Sequence, residues 1–191
     1  MAGVDDAHFL ACRQLCPTAL THRHDSVVRL LADLFRKAGA AVRIEHRPFD
    51  GKRVRPDLEI VIPEQTLFVD VAITHPASAS RNASRPLHYT RIAETQKEVK
   101  YTTLARALGA NFRPFCAESF GAVGEKAAEV LKLLRSFIST SIAAPSLWSL
   151  PSFASQAIAI AIQAGNAHAV RTGAFKSRAE GIIRQLSASG G

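Results

Sequence analysis

Residues 55 to 76, RPDLEIVIPEQTLFVDVAITHP, constrain the fold more than any other stretch. Two runs of alternating apolar residues, DLEIVI and TLFVDVAIT, flank a Pro-Glu-Gln-Thr turn, the pattern of an antiparallel hairpin. With the turn at Pro63 to Thr66, Ile62 is predicted opposite Leu67, Ile60 opposite Val69 and Leu58 opposite Val71. That face is wholly apolar and is expected to pack on a helix. The other face collects Asp57, Glu59, Asp70 and Ala72, with Glu59 opposite Asp70 and Asp57 opposite Ala72. Asp57 and Asp70 are then diagonal neighbours, about 7–8 Å apart at the backbone, with side chains able to converge.

Like charges on one face weaken a hairpin. Two readings follow: the face is open to solvent and its acids are ordinary surface residues, or a divalent cation offsets the repulsion. Mg²⁺ typically takes one or two carboxylates and keeps several waters.

The flanking sequence predicts the remaining elements. HDSVVRLLADLFRKAGA reads as a helix with an apolar stripe of Val27, Leu30, Leu31, Leu34 and Phe35, capped by Asp25 or Ser26 and ended by Gly39. AVRIEHRPF alternates as a strand. A helix is expected from about Leu87 to Leu108, stopped by Gly109, then a short strand, NFRPFCAES. EKAAEVLKLLRSFI is strongly amphipathic, Pro145 and Pro151 bracket a break, SFASQAIAIAIQAGNAHAV is helical, and Ser-Ala-Ser-Gly-Gly forms a loose tail. Strands joined by short turns pair antiparallel, and a crossover helix allows a parallel neighbour. The expected fold is therefore α/β, a mixed β-sheet of about four strands flanked by helices, with extra C-terminal helices.

Charge points to the partner. The chain has 191 residues, 47% of them apolar, a formal charge of +8 and a pI near 9.9, which suits a globular domain that meets nucleic acid or another anionic surface. Lys52, Arg53 and Arg55 lead directly into Asp57, and the loop HPASASRNASRP carries Arg81 and Arg85. Such side chains hold phosphates with little regard for sequence; the loop either closes over DNA or merely connects. Three cysteines argue for a reducing, intracellular compartment rather than a disulfide scaffold. The N-terminus has no signal-peptide pattern, and AIAIAIQA is too short to span a bilayer, so no membrane partner is expected.

In AETQKEVKYTTLARAL, helical spacing sets Lys97, Lys100, Tyr101, Leu104 and Leu108 on one face. Lysines at the edge of a packed stripe either snorkel to solvent or find partners among the acids of the sheet. Acids, a metal and an ammonium together suit metal-assisted phosphodiester cleavage.

Pro56-Asp57 followed by Asp70 in VDVAIT resembles the PD-(D/E)XK restriction-like nuclease core. More closely, the chain resembles the endonuclease domain at the C-terminus of site-specific non-LTR retrotransposon polyproteins. The matching pieces are RHD (Arg23 to Asp25), RPD (Arg55 to Asp57), DVA (Asp70 to Ala72), KEVKY (Lys97 to Tyr101) and ESFG (Glu118 to Gly121), over about residues 8 to 170. The resemblance implies a restriction-endonuclease-like fold, with Asp57 and Asp70 as metal ligands assisted by the Val71 carbonyl. Ala72 stands where the superfamily core has its lysine; in the retroelement branch the lysine comes from the following helix, which implies Lys97, with Lys100 close behind. His24, Glu59 and Tyr101 are accessory candidates, and for His24 a helix-cap role is the alternative.

His8 to Cys12 resembles the end of a CCHC zinc knuckle whose first two cysteines are missing. Cys12, Cys16, His22 and His24, or His8 with Cys12, Cys16 and His22, offer a Cys/His set for Zn²⁺, but a truncated remnant is the preferred reading. The expected division is residues 1–22 as this segment, 23–140 as nuclease core and 141–191 as helical extension and tail. The expected function is an Mg²⁺- or Mn²⁺-dependent DNA endonuclease of the nucleus that nicks target DNA for retrotransposon integration. A homodimer and a reverse transcriptase domain in a longer polyprotein are its expected partners. The alternatives are an inactive DNA-binding nuclease fold, a Holliday-junction or repair nuclease, and a structural helper that dimerises through the C-terminal helices.

Overall fold

The computed structural model describes residues 10, 17–49, 54–76, 85–140 and 152–189. Among them the elements run α1 (Pro17–Lys37), β1 (Ala41–Ile44), β2 (Leu58–Ile62), β3 (Gln65–Thr74), α2 (His88–Ala107), β4 (Asn111–Glu118), α3 (Glu125–Thr140) and α4 (Phe153–Ser189). The strands form one mixed sheet in the order β1-β2-β3-β4. β1–β2 and β2–β3 are antiparallel, and β3–β4 is parallel because α2 carries the chain back across the sheet. The expected mixed α/β architecture, a four-stranded sheet flanked by helices, is the one observed.

Three expectations about α1, β1 and the hairpin are corrected. First, α1 starts at Pro17, more than two turns before Asp25. Proline is at home in the first turn, where its missing N–H has no partner to lose. Ser26 does not cap the helix; its hydroxyl donates back to the His22 carbonyl at 2.8 Å, as a mid-helix serine does. Second, β1 ends at Ile44 instead of running to Phe49. Glu45 adopts φ 52°, breaking the strand, and its N–H donates to the Asp57 carbonyl at 2.8 Å.

Third, the hairpin pairs Ile62 with Gln65, Ile60 with Leu67, Glu59 with Phe68 and Leu58 with Val69, so the connection is only Pro63-Glu64. The tighter turn draws Gln65 and Thr66 into the ladder. The register moves by two residues, so each side chain keeps its predicted face while its partner changes. Glu59 is no longer opposite Asp70, nor Asp57 opposite Ala72; one step beyond the last pair, Asp57 comes level with Asp70.

The two faces bury different cores. Leu58, Ile60, Leu67, Val69 and Val71, with Phe115 of β4, pack under Val27, Leu31 and Phe35 of α1, Leu134 of α3, and Ile158 and Ile162 of α4. On the opposite face a smaller cluster of Phe68, Phe112, Phe49 and Ala105 surrounds Tyr101 of α2. α2 is turned relative to the predicted stripe: its buried residues are Thr90, Glu94, Tyr101 and Ala105, while Leu108 is exposed. α4 extends past the predicted end near Val170, through Ser187 to Ser189. Among the described residues, no helix is long and apolar enough to cross a membrane.

Phe115, midway along β4, is fully buried. Phe115→Ala is expected to cost about 3–5 kcal/mol in a urea or guanidinium unfolding titration; a loss under about 1 kcal/mol would contradict this placement of the core.

Candidate active site

Asp57 sits just before β2, and Asp70 lies in the middle of β3 on the α2 face. Ordinarily such sheet positions hold apolar residues, as Phe68 and Phe112 do alongside. Both carboxylates are nearly enclosed, with side chains 17% and 10% exposed. Each is held by two groups, Asp57 by Val71 and His24 and Asp70 by Lys97 and Tyr101.

Asp57 Oδ2 accepts the Val71 N–H at 2.6 Å, so the next strand itself orients the carboxylate. His24 of α1 brings Nε2 to 3.2 Å from the same oxygen, while its Nδ1 lies 3.0 Å from Asp25. On the other side, Lys97 of α2 forms an ion pair with Asp70 Oδ2. Tyr101, one turn further along α2, places its hydroxyl 2.7 Å from the Arg55 carbonyl and 3.1 Å from Asp70 Oδ1, so its one proton is shared between them. Lys97 and Tyr101 are four residues apart and therefore reach the same strand.

These contacts set the protonation pattern. Burial pushes Asp57 up, but the hydrogen bond and charge of His24, the Val71 amide and the Lys97 charge outweigh it, and the carboxyl lies below its usual range. Asp70 goes the other way: burial and then the Asp57 charge raise it, against Lys97 and Tyr101. Burial opposes a charged His24, yet Asp57 and then Asp25 raise its pKa from 6.5 to about 9. Burial first, and then Asp70, push the Tyr101 hydroxyl well above its ordinary value, so it stays a donor. One carboxylate is firmly ionised, and the other is held up by burial and then by its neighbour's charge. Two such oxygen donors side by side fit a hard divalent cation, which removes the mutual repulsion.

The other predicted residues are scattered more widely. Lys100 is exposed and lies 4.6 Å over the Tyr101 ring. Glu59 pairs with Arg43 at 3.2 Å and stands beside His46, in the strand next to the site. Arg55 makes a paired contact with Glu45 through both terminal nitrogens, each at 3.2 Å. Arg85 is exposed just before α2. Lys52, Arg53, Arg81, His8, Cys12 and Cys16 lie outside the described residues. His22 and His24 do not share a site: His22 packs its ring 5.2 Å from that of His168, whereas His24 turns to Asp57. No group of three or more metal-ligating side chains occurs among the described residues.

Asn166 escaped the sequence reading, and so did the burial of Arg23, which entered it within the RHD motif. Arg23 is buried and donates to Asn166 Oδ1 at 2.8 Å. Asn166 in turn donates to the Ser119 carbonyl at 2.6 Å, and Ser119 Oγ bonds His75 Nδ1 at 2.6 Å. This chain of contacts ties α1, α4 and the ends of β3 and β4 together beside the carboxylates. A signal was present: Arg23 falls four residues before Val27, on the apolar face of its helix. No family model matches the chain, and no curated protein is significantly similar to it.

The His24–Asp57 contact predicts a pH dependence with a definite sign. A histidine whose folded pKa exceeds its unfolded value stabilises the fold while protonated. That stabilisation is complete below about 6.5 and is lost as the pH rises to about 9. The depressed Asp57 carboxyl adds stability above the ordinary carboxylate range and loses it on acidification. Denaturant midpoints of the wild type should therefore fall across the alkaline window, and His24→Gln should flatten that fall. An identical slope in both proteins would contradict the contact.

Proposed function

We propose that the protein is a metal-dependent DNA endonuclease of the restriction-like class. The observation that carries this reading is the juxtaposition of Asp57 and Asp70, with Lys97 on Asp70. Ala72, two residues after Asp70, carries no charge, and α2 supplies the ammonium instead. This agrees with the order of motifs in the retroelement nucleases that the sequence resembles. The element order and the mixed sheet support the same reading, as does the surplus of eight positive charges.

Asp57 and Asp70 would hold Mg²⁺ or Mn²⁺. Bound there, the ion supplies charge neutralisation and a water of lowered pKa. The protein's own groups do the rest. The Val71 amide and His24 fix the Asp57 carboxylate, and Tyr101 fixes that of Asp70. Lys97 offers a positive charge where negative charge develops on the phosphoryl oxygens. Exposed basic residues, Arg85 among the described ones, bind the backbone without reading bases. In a retroelement setting the enzyme nicks target DNA in the nucleus to start reverse transcription, alongside a reverse transcriptase domain.

The test is conversion of supercoiled plasmid to nicked circle with Mg²⁺ or Mn²⁺. The wild type should nick, and Asp57→Ala, Asp70→Ala and Lys97→Ala should each slow nicking at least about a hundredfold. No cutting with either metal, or cutting that survives Asp70→Ala, would overturn the assignment.

A further inference from the structure

A cavity of about 790 Å³ opens beside the carboxylate pair, walled by α1, β3 and α2. Its volume lies in the range of small-molecule sites. Its charged lining is one-sided: Arg23, His24 and Lys97 contribute to the wall, and no carboxylate does among the described residues. Thr21 and Gln96 add neutral polar groups, and His75 adds an imidazole.

The three basic residues differ in how they are balanced. His24 has Asp57 and Asp25, and Lys97 has Asp70. Arg23 has no acidic partner among the described residues, although only 4% of its surface is exposed. Buried charges are ordinarily paired. One terminal nitrogen of Arg23 donates to the Leu10 carbonyl at 3.2 Å and to Asn166 Oδ1 at 2.8 Å, while Nε is buried without an acceptor. Burial draws its pKa down to about 10, so it remains a cation at neutral pH.

The surroundings hold this cation in place. A Cβ at residue 165 would come within 2.5 Å of Arg23 Cγ and 2.6 Å of its Cβ, so Gly165 of α4 is what lets the arginine stem pass. Asn166 holds the guanidinium from the next position, anchored to the Ser119 carbonyl at 2.6 Å. A fixed, desolvated guanidinium with no counter-ion among the described residues, in the wall of a cavity to which none of their carboxylates contributes, is built to receive an anion. The cavity also takes in His24 and Lys97, which touch Asp57 and Asp70, so its anion lies next to the reacting phosphate.

We propose that this cavity is a phosphate pocket for the nucleic-acid strand, in which Arg23 binds a phosphodiester neighbouring the one presented to Asp57, Asp70 and Lys97. The assignment rests on the endonuclease reading and adds a positioning residue to it. Arg23 holds the strand, and the carboxylate pair acts on it.

The test is equilibrium binding of a short fluorescein-labelled DNA duplex in EDTA, where no cutting occurs, repeated over a salt series. Arg23→Gln removes the cation. Gln96→Glu is an isosteric change at an exposed position of the wall and adds a carboxylate without disturbing the core. Each variant is expected to weaken binding about tenfold, and Arg23→Gln to reduce the salt slope by about one. If Arg23→Gln does not fold, Gln96→Glu decides alone. DNA affinity unchanged by Gln96→Glu overturns the inference. So does inorganic phosphate that binds the wild type without competing with DNA, because the pocket then takes a free anion. Plasmid nicking separates the two claims: nicking with DNA binding indifferent to both substitutions sinks the pocket alone, and weakened binding in the variants of a protein that never nicks sinks the endonuclease alone.

Discussion

Two carboxylates enclosed side by side in a sheet dictate much of what surrounds them. Asp57 and Asp70 repel each other and lose hydration on folding. Each therefore needs a countercharge and oriented donors, and each set comes from a different element. α1 supplies His24, β3 supplies the Val71 amide, and α2 supplies Lys97 and Tyr101. Removing one partner leaves a buried charge uncompensated, which is costlier than losing an exposed ion pair. The site and the packing of α1 and α2 onto opposite faces of the sheet thus support each other.

The parallel β3–β4 pair is what makes this possible. A hairpin alone could bring two acids together, but nothing in a hairpin places a lysine above them. The crossover through α2 does so, because a helix returning over the sheet lays one face along β3. That face carries Lys97 and Tyr101 at a spacing of one turn. The ammonium that meets Asp70 thus comes from the helix, and Ala72 leaves the strand without a charge two residues further on. The space left beside Ala72 opens into the cavity between α1 and α2.

Much of this was legible in the sequence because periodicity reports which face a residue takes. The order of elements, the apolar face of Leu58, Ile60, Leu67, Val69 and Val71, and the acid face of Asp57 and Asp70 all follow from alternation. Pairing does not, since a shift of two residues leaves every face unchanged; Pro63-Glu64 serving as the whole turn could not be read from composition. The rotation of α2 was hidden for a related reason. Leu104 and Leu108 look like core, yet the buried phenol of Tyr101, drawn to Asp70 and the Arg55 carbonyl, sets the helix angle and leaves Leu108 in solvent. Arg23 stood in the RHD motif, but its burial was hidden because a charged residue on an apolar stripe reads as its solvent edge until its long-range partners, Asn166 above all, are known.

The central claim is that Asp57 and Asp70 form a divalent-cation site, and calorimetric titration of Mn²⁺ into the wild type and Asp70→Asn tests it most directly. A single binding event in the wild type, weakened at least about tenfold in the variant, is the predicted result. No binding heat in the wild type, or an unchanged affinity in Asp70→Asn at equal thermal stability, would contradict it.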